Sequence, residues 1–437
     1  ADGSHSDWSN DSQGNSESNW SNADGSSGHY ETHADGSYSG TWNNADGSGS
    51  GYSDDGQGNT TSDWKGADGS SSHYESNADG SYSSSWTSAD GSSGASSDDG
   101  KGNTTSDWTG ADGSTYHSNS YADGSSSSYG NDAQGNSTSD WRGADGSSSH
   151  EEYHADGSYS GSWDSADGSH SDWSNGADGS SVSNWTGADG SNSHYESHAD
   201  GSSSSSWTGA DGSHADSSND AQGNSVSNWT SADGSTSHYE THADGSSSST
   251  WSSPDGSSGS QSNDSQGNST SDWHNADGSS SHSETHADGS TSNSWTGADG
   301  SSSDYSDDGQ GNTVNNWTNA DGSSSHYENH ADGSSSASWT GADGSSSDWN
   351  SDGQGNSVSN WTGADGSTSH YETHADGSSN SAWTGADGSS ATSTSDGQGN
   401  SVVDWVGADG STSHYESHAD GTSFSIYTAP DGTVTRY

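Results

Sequence analysis

The chain has 437 residues, a formal charge of −61, four Lys plus Arg, and neither Cys nor Met. So few cations exclude nucleic acid, whose phosphates need Lys and Arg; the absence of Cys excludes a disulfide framework and thiolate metal sites. No apolar run is long enough for membrane insertion. Only 20% of residues are hydrophobic, a composition usual in disordered chains, but 21 Trp and 18 Tyr are present, which acidic disordered chains normally lack.

"ADGS" recurs from residue 1 at spacings of 11 or 22, and "QGN" stands in the longer gaps. The chain divides into 39 units of 11 residues and a final eight. Four kinds of unit follow one another, as in "ADGSSSDYSDD" (298–308), "GQGNTVNNWTN" (309–319), "ADGSSSHYENH" (320–330) and "ADGSSSASWTG" (331–341). This 44-residue cycle runs the length of the chain, with one unit missing in 89–121. Residue 1 is already in phase, so the sequence is expected to be part of a longer one.

Ser, Thr, Asn, Asp and Gly dominate each unit and weaken a helix. "ADG" and its variants Pro254-Asp255-Gly256 and Pro430-Asp431-Gly432 read as turns. Asp bonds nearby backbone and Gly supplies positive φ. A type I turn with a Gly bulge makes a three-residue hairpin loop, leaving about eight residues for a strand. Where "QGN" lacks the Asp, one stands just upstream ("DGQGN", "DSQGN", "DAQGN"). An Asp side chain is therefore expected at every turn, supplied from one of two places.

With each unit numbered from its Ala, the first and third kinds carry their aromatic at place 8 and the second and fourth at place 9. In antiparallel strands joined by three-residue turns, place 11 faces place 4 of the next unit, so paired places sum to 15. Side chains alternate faces along a strand, which puts places 8 and 9 of neighbouring strands on one face. The stripe includes Trp20, Trp42, Trp64, Trp86, Trp185, Trp207, Trp229, Trp251, Trp317 and Trp361. Losing a unit should move later aromatics to the other face; the last unit before the change, 111–121, carries Tyr116 and Tyr121 at places of opposite parity. The expected fold is all-β, a long antiparallel meander over 1–418 with a C-terminal cap at 419–437. A β-solenoid with 22 residues per coil is the alternative, and the hairpin-type "PDGT" near the end favours the meander.

A single sheet with an exposed aromatic stripe is only weakly stable. The stripe is expected to be covered by another copy, another part of the sheet, or glycan. The cap adds Phe424, Ile426 and Val434, apolar residues suited to a terminus or subunit contact.

"H-x-E-x-H" puts two imidazoles and a carboxylate on the face opposite the aromatics, at His194, Glu196 and His198; His238, Glu240 and His242; His326, Glu328 and His330; and His370, Glu372 and His374. Those groups suit Zn²⁺ or another borderline metal, and equally a solvated face on which His offsets carboxylates. Alternate strand residues lie about 6.5–7 Å apart, so one ion reaches at most two of them without help from a neighbouring strand. The Asp-rich turns offer hard ligands for Ca²⁺ or another divalent cation, although Asp is also an ordinary turn former. N-glycosylation sequons occur at Asn19, Asn184, Asn228, Asn316 and Asn360, and also at Asn59, Asn103, Asn136 and Asn268. Ser, His and Asp recur too uniformly for a unique catalytic triad, and no enzyme activity is expected.

The "ADGS" and "PDG" turns resemble low-complexity β-repeat regions of secreted bacterial surface proteins, including the YD/RHS type. "GQGN" resembles the turns of curli-type repeats. The likeness covers the turns only; the regular Tyr-Asp and Arg of YD repeats and the core Gln of curli repeats are missing. The resemblance implies secretion and a structural or adhesive role. The expected function is an extracellular or cell-surface structural protein that self-assembles into a filament, sheath or biofilm-matrix fibre. A surface adhesin binding polysaccharide or glycan through the stripe is the alternative.

Overall fold

The computed structural model describes residues 2–437. Among them the chain is all-β without helix, in forty strands of six residues each except the last, Val434–Arg436. Each full strand spans places 5–10 of its unit, as in Thr236–Thr241 and Ser247–Ser252. The strands fall in two compact units, Ala1–Ala221 and Gln222–Tyr437.

Within each unit every strand is antiparallel to its neighbours in sequence, giving a β-meander. Ser237 pairs with Trp251 and Tyr239 with Ser249; Trp229 pairs with Ser237. Paired places sum to 15, as parity requires. The 22-residue solenoid is thereby corrected: it would stack like strands in parallel, whereas these neighbours run antiparallel through a three-residue loop.

The loops explain the register. His242 N–H donates to Ser246 O at 2.9 Å and Gly245 N–H to His242 O at 2.8 Å. Gly245 has φ +87°, the bulge of a type I turn. Asp244 Oδ1 accepts from Ser246 N–H at 2.9 Å and Ser246 Oγ–H at 2.6 Å. In the "QGN" turns the upstream Asp takes over. Asp55 Oδ1 accepts from Gln57 N–H at 2.7 Å and Asn59 N–H at 3.0 Å, and its second oxygen accepts from Asn59 Nδ2.

Turns on one edge also bond to one another. Asn59 Oδ1 accepts the N–H of Ala78 at 2.8 Å, 19 residues on. The same clasp joins Asn15 to Ala34 and Asn400 to Ala419. On its other side the 56–58 turn abuts the turn before it. Gly56 has φ +71°, and a Cβ there would lie 2.9 Å from Asp35 O and Ser37 N.

No hydrophobic side chain of the described residues is buried; the buried side chains are turn serines such as Ser147 and Ser411. Stability therefore rests on ladder and turn hydrogen bonds and on half-covered rings. The indole of Trp405 lies over its turn: a Cβ at Gly407 would meet Trp405 Cη2 and Ser411 Oγ, each at 2.5 Å.

The missing unit reverses the sheet's sides. Trp108 pairs with Tyr116, Tyr116 with Gly130, and Gly130 with Thr138. Trp141, three residues beyond Thr138, therefore projects from the opposite side to Trp108. Tyr129 pairs with Ser139 and shares the side of Trp141. From Trp8 to Tyr116 the aromatics occupy one side, and from Tyr121 to Trp207 the other. In Gln222–Tyr437 one side carries the row throughout, from Trp229 to Tyr427.

In the cap, strand Ser423–Thr428 continues the register against Thr412–Ser417. Phe424 and Ile426 pair with Glu416 and His414, so they lie on the polar side. The Phe424 and His414 rings are 5.5 Å apart.

Candidate functional site

The aromatic side is two rows. Trp at place 9 recurs on alternate strands on either side of the reversal, and Tyr or Trp at place 8 occupies most of the strands between, with Ser96, Ser217, Gln261, Ser283 and Ser393 standing there in the others. The registers put the rows two residues apart, roughly 7 Å. Where glycine separates two Trp, the rings close on it: Trp20 and Trp42 flank Gly28 with centroids 4.9 Å apart, edge to face. Trp251 and Trp273 flank Gly259 at 5.4 Å. Trp295 and Trp317 stack at 5.8 Å. Tyr38 at place 5 extends the face, bonding Tyr52 through their hydroxyls at 3.3 Å; that bond raises the Tyr38 pKa to about 12. Most of the rings remain exposed, for example Trp42 at 53% and Tyr239 at 48%.

Charge is sorted between the two sides. In the strands, the aromatic side holds only the carboxylates Asp54, Asp98, Glu151 and Asp307 among the described residues. Three of these are tied into turns, Asp54 Oδ1 accepting from Gly56 N–H, Asp98 from Gly100 N–H and Asp307 from Gly309 N–H, each at 2.8 Å. Every strand His, every strand Lys or Arg and the remaining strand carboxylates lie on the polar side.

That polar side repeats one cluster per cycle. The His at place 7 of a third-kind unit stands opposite Asp or Asn at place 8 of the strand before. His73 Nδ1 donates to Asp63 Oδ1 at 2.7 Å, and its Nε2 lies 3.4 Å from Glu75. His238 Nδ1 donates to Asn228 Oδ1 at 2.5 Å, with Nε2 3.0 Å from Glu240. At His73, His150, His282 and His414 the partner is Asp, and its carboxylate is the leading cause that raises the His pKa. Sequence reasoning missed these Asp and Asn partners. The sum-to-15 rule applied to place 7 would have found them.

The sequence-singled Glu residues lie between their two His. Glu240 is 3.9 Å from His242, Glu328 is 3.1 Å from His326 and 3.6 Å from His330, and Glu372 is 3.2 Å from His370 and 3.9 Å from His374. Glu196 is 3.8 Å from His194. Among the described residues, a different set alone brings three ligand atoms within 4.8 Å of one another: Glu17, His29 and Glu31. Glu17 stands directly opposite Glu31. The residues present there are a fair match for a borderline divalent ion, since one imidazole and two carboxylates converge. The turn Asp residues, in contrast, accept from their own turns' N–H and O–H groups, the arrangement of turn formers.

The sequon asparagines are engaged within the sheet. Asn184 Nδ2 donates to Asp172 at 2.8 Å while its Oδ1 accepts from His194 at 2.6 Å. Asn360 Nδ2 donates to Asp348 at 2.7 Å, and Asn19 Nδ2 to Glu17 at 2.8 Å. Asn316 Oδ1 accepts from His326 at 2.6 Å. Asn59, Asn103, Asn136 and Asn268 donate Nδ2 to the Asp of their turns.

An open notch of about 810 Å³ lies on the polar side above Gly49 and Gly51, bordered by Thr41, Asp63 and His73. Among the described residues, no helix is long and apolar enough to cross a membrane. No protein-family model matches the chain, and no curated protein sequence matches it.

Proposed function

We propose that this chain is an extracellular structural repeat protein whose copies assemble through the aromatic side into a filament, sheath or matrix fibre. The observation that carries the reading is the sorting of charge. A chain of net charge −61 keeps the aromatic side of each stretch of its sheet almost free of carboxylates. Two such sides can meet without like-charge repulsion, and their contact covers rings that nothing in the chain covers. Rings, Ser and Thr at strand spacing give sheets that pack about 10 Å apart.

The test is sedimentation velocity and electron microscopy of the full chain over a range of concentrations. Concentration-dependent assembly is expected, and it should be lost when Trp20, Trp42, Trp64, Trp86, Trp185, Trp207, Trp229, Trp251, Trp317 and Trp361 are changed to Ser. A chain that stays monomeric at every concentration refutes the reading.

A second reading, a surface adhesin or glycan-binding array, draws support from the exposed, regularly spaced rings, which suit stacking on sugars. Retention of a monomer on polysaccharide, without assembly, favours it. No reaction is proposed, because none of the side-chain clusters is enclosed.

A further inference from the structure

We propose that assembly is open-ended and staggered, because the unit missing after Tyr121 gives Ala1–Ala221 two aromatic patches on opposite sides. This rests on the self-assembly reading above and adds the geometry by which copies meet. The occupant of each patch is a second copy of this chain.

Within Ala1–Ala221 the first patch runs from Trp8 to Tyr116 and the second from Tyr121 to Trp207. The register carries the reversal: Trp108 and Tyr116 pair on one side, and Tyr129 shares the other with Trp141. Beside each patch, on the same side of the sheet, lies the polar surface of the other segment. Asp140 and His150 continue the side of Trp108, and Asp63 and His73 lie on the side of Trp141.

The area is sufficient. If each ring hides a further ~80–100 Å² of the 150–250 Å² an aromatic can bury, ten rings cover roughly 800–1,000 Å² per partner. That is the size of a standard stable interface.

The surroundings of each patch select the stagger. Two copies in full overlap would bring polar segment onto polar segment, setting Asp140, Glu152 and Asp172 of one against the same residues of the other. A half-turn about an axis along the strands lays first patch on first patch while the polar segments run off in opposite directions. The second patch, on the far side, is then free to take a third copy the same way. A contact made by one self-complementary patch closes as a dimer, whereas two such patches on opposite sides generate an unending stack.

The test restores the missing unit. An 11-residue copy of residues 78–88 (ADGSYSSSWTS) is inserted between Tyr121 and Ala122 of the full chain, making the 44-residue cycle unbroken. A control insertion of two units, a copy of residues 67–88, leaves the reversal in place. Where Ala1–Ala221 segments meet, wild type and control are expected to grow stacks three or more sheets thick, and the single-unit variant to stop at pairs. Should that variant misfold by circular dichroism, changing all twelve rings from Trp8 to Tyr116 to Ser removes one patch and should also leave pairs at the Ala1–Ala221 segments. Stacks of wild-type thickness from the folded variants overturn the inference alone, as does a wild type that stops at pairs. A wild type that never associates, or that binds polysaccharide only as a monomer, overturns the assembly reading itself.

Discussion

His73 and Asp63 stand directly opposite each other on adjacent strands, and His73 Nδ1 donates to Asp63 Oδ1 at 2.7 Å. The Asp63 carboxylate holds the His73 pKa above its ordinary value, and Asp140, Asp272 and Asp404 do the same for His150, His282 and His414. A His whose folded pKa is raised stabilises fully below its unfolded value, near 6.5, and loses that contribution as pH rises through the folded value. The melting temperature should therefore fall between pH 6 and pH 8.5. Replacing the four Asp by Asn should flatten that slope, measured by circular dichroism melts; an unchanged slope would remove the His–Asp pairs as its source.

At the acid end the sign reverses. Hydrogen bonds from Ser hold the turn Asp below their ordinary pKa, as at Asp24, Asp145 and Asp244. Their stabilisation is present above about pH 4 and is lost as pH falls through the depressed values. Asp233, held first by Ser231 Oγ, is lowered to about 2 and should persist longest. Turn amides such as Ser246 should exchange faster between pH 4 and pH 2, read by hydrogen–deuterium exchange corrected for intrinsic rates. Ser231→Ala should bring forward the opening of the turn at Asp233.

Asn59→Ala should release an amide 19 residues away. The Ala78 N–H loses its acceptor, at a cost of about 1 kcal/mol. Exchange should rise at Ala78 as well as in residues 55–59, while Ala34, clasped by Asn15, stays protected. Equal exchange at Ala78 in both proteins would show that the clasp contributes nothing.

Gly56→Ala combines an unfavourable positive φ with a Cβ 2.9 Å from the backbone of the neighbouring turn. Strain of this kind costs about 1–3 kcal/mol. Because the colliding atoms are backbone, both the 34–37 and the 55–59 turns should loosen together in exchange experiments. Loosening confined to 55–59 would mean that the two turns are not coupled.

Salt should stabilise the sheet. Turns on one edge recur every second strand, about 9.6 Å apart, and each carries an Asp; the Debye length falls from about 30 Å at 0.01 M salt to about 10 Å at 0.1 M. The melting temperature is expected to rise over that interval. Ca²⁺ at matched ionic strength should add little beyond screening, because the turn carboxylates already accept from their own turns. A large rise specific to Ca²⁺ would instead reveal bound ions.

Much of the fold was legible because the unit length is odd. Moving Trp251 one place from the position of Tyr239 is required to keep both on one side, and that parity already gave which residues share a side and the reversal after Tyr121. The exchange of Asp between Asp244 and Asp55 positions was likewise visible as a paired change. Parity alone did not separate hairpin from solenoid, since both satisfy it. The Asn59–Ala78 clasp was hidden because it joins turns that are neighbours only once strands are laid side by side. Asp63 and Asn228 stand in full view in the sequence, and the pairing rule places them opposite His73 and His238.

The odd unit also constrains how such a chain can change in length. Gain or loss of a whole 44-residue cycle by unequal recombination leaves every later side chain on its side and every turn on its edge. Gain or loss of a single 11-residue unit transfers all of them at once, without altering one downstream residue. The three-unit cycle at 89–121 has the form of such a change, and it moves every later side chain to the other side without one substitution downstream.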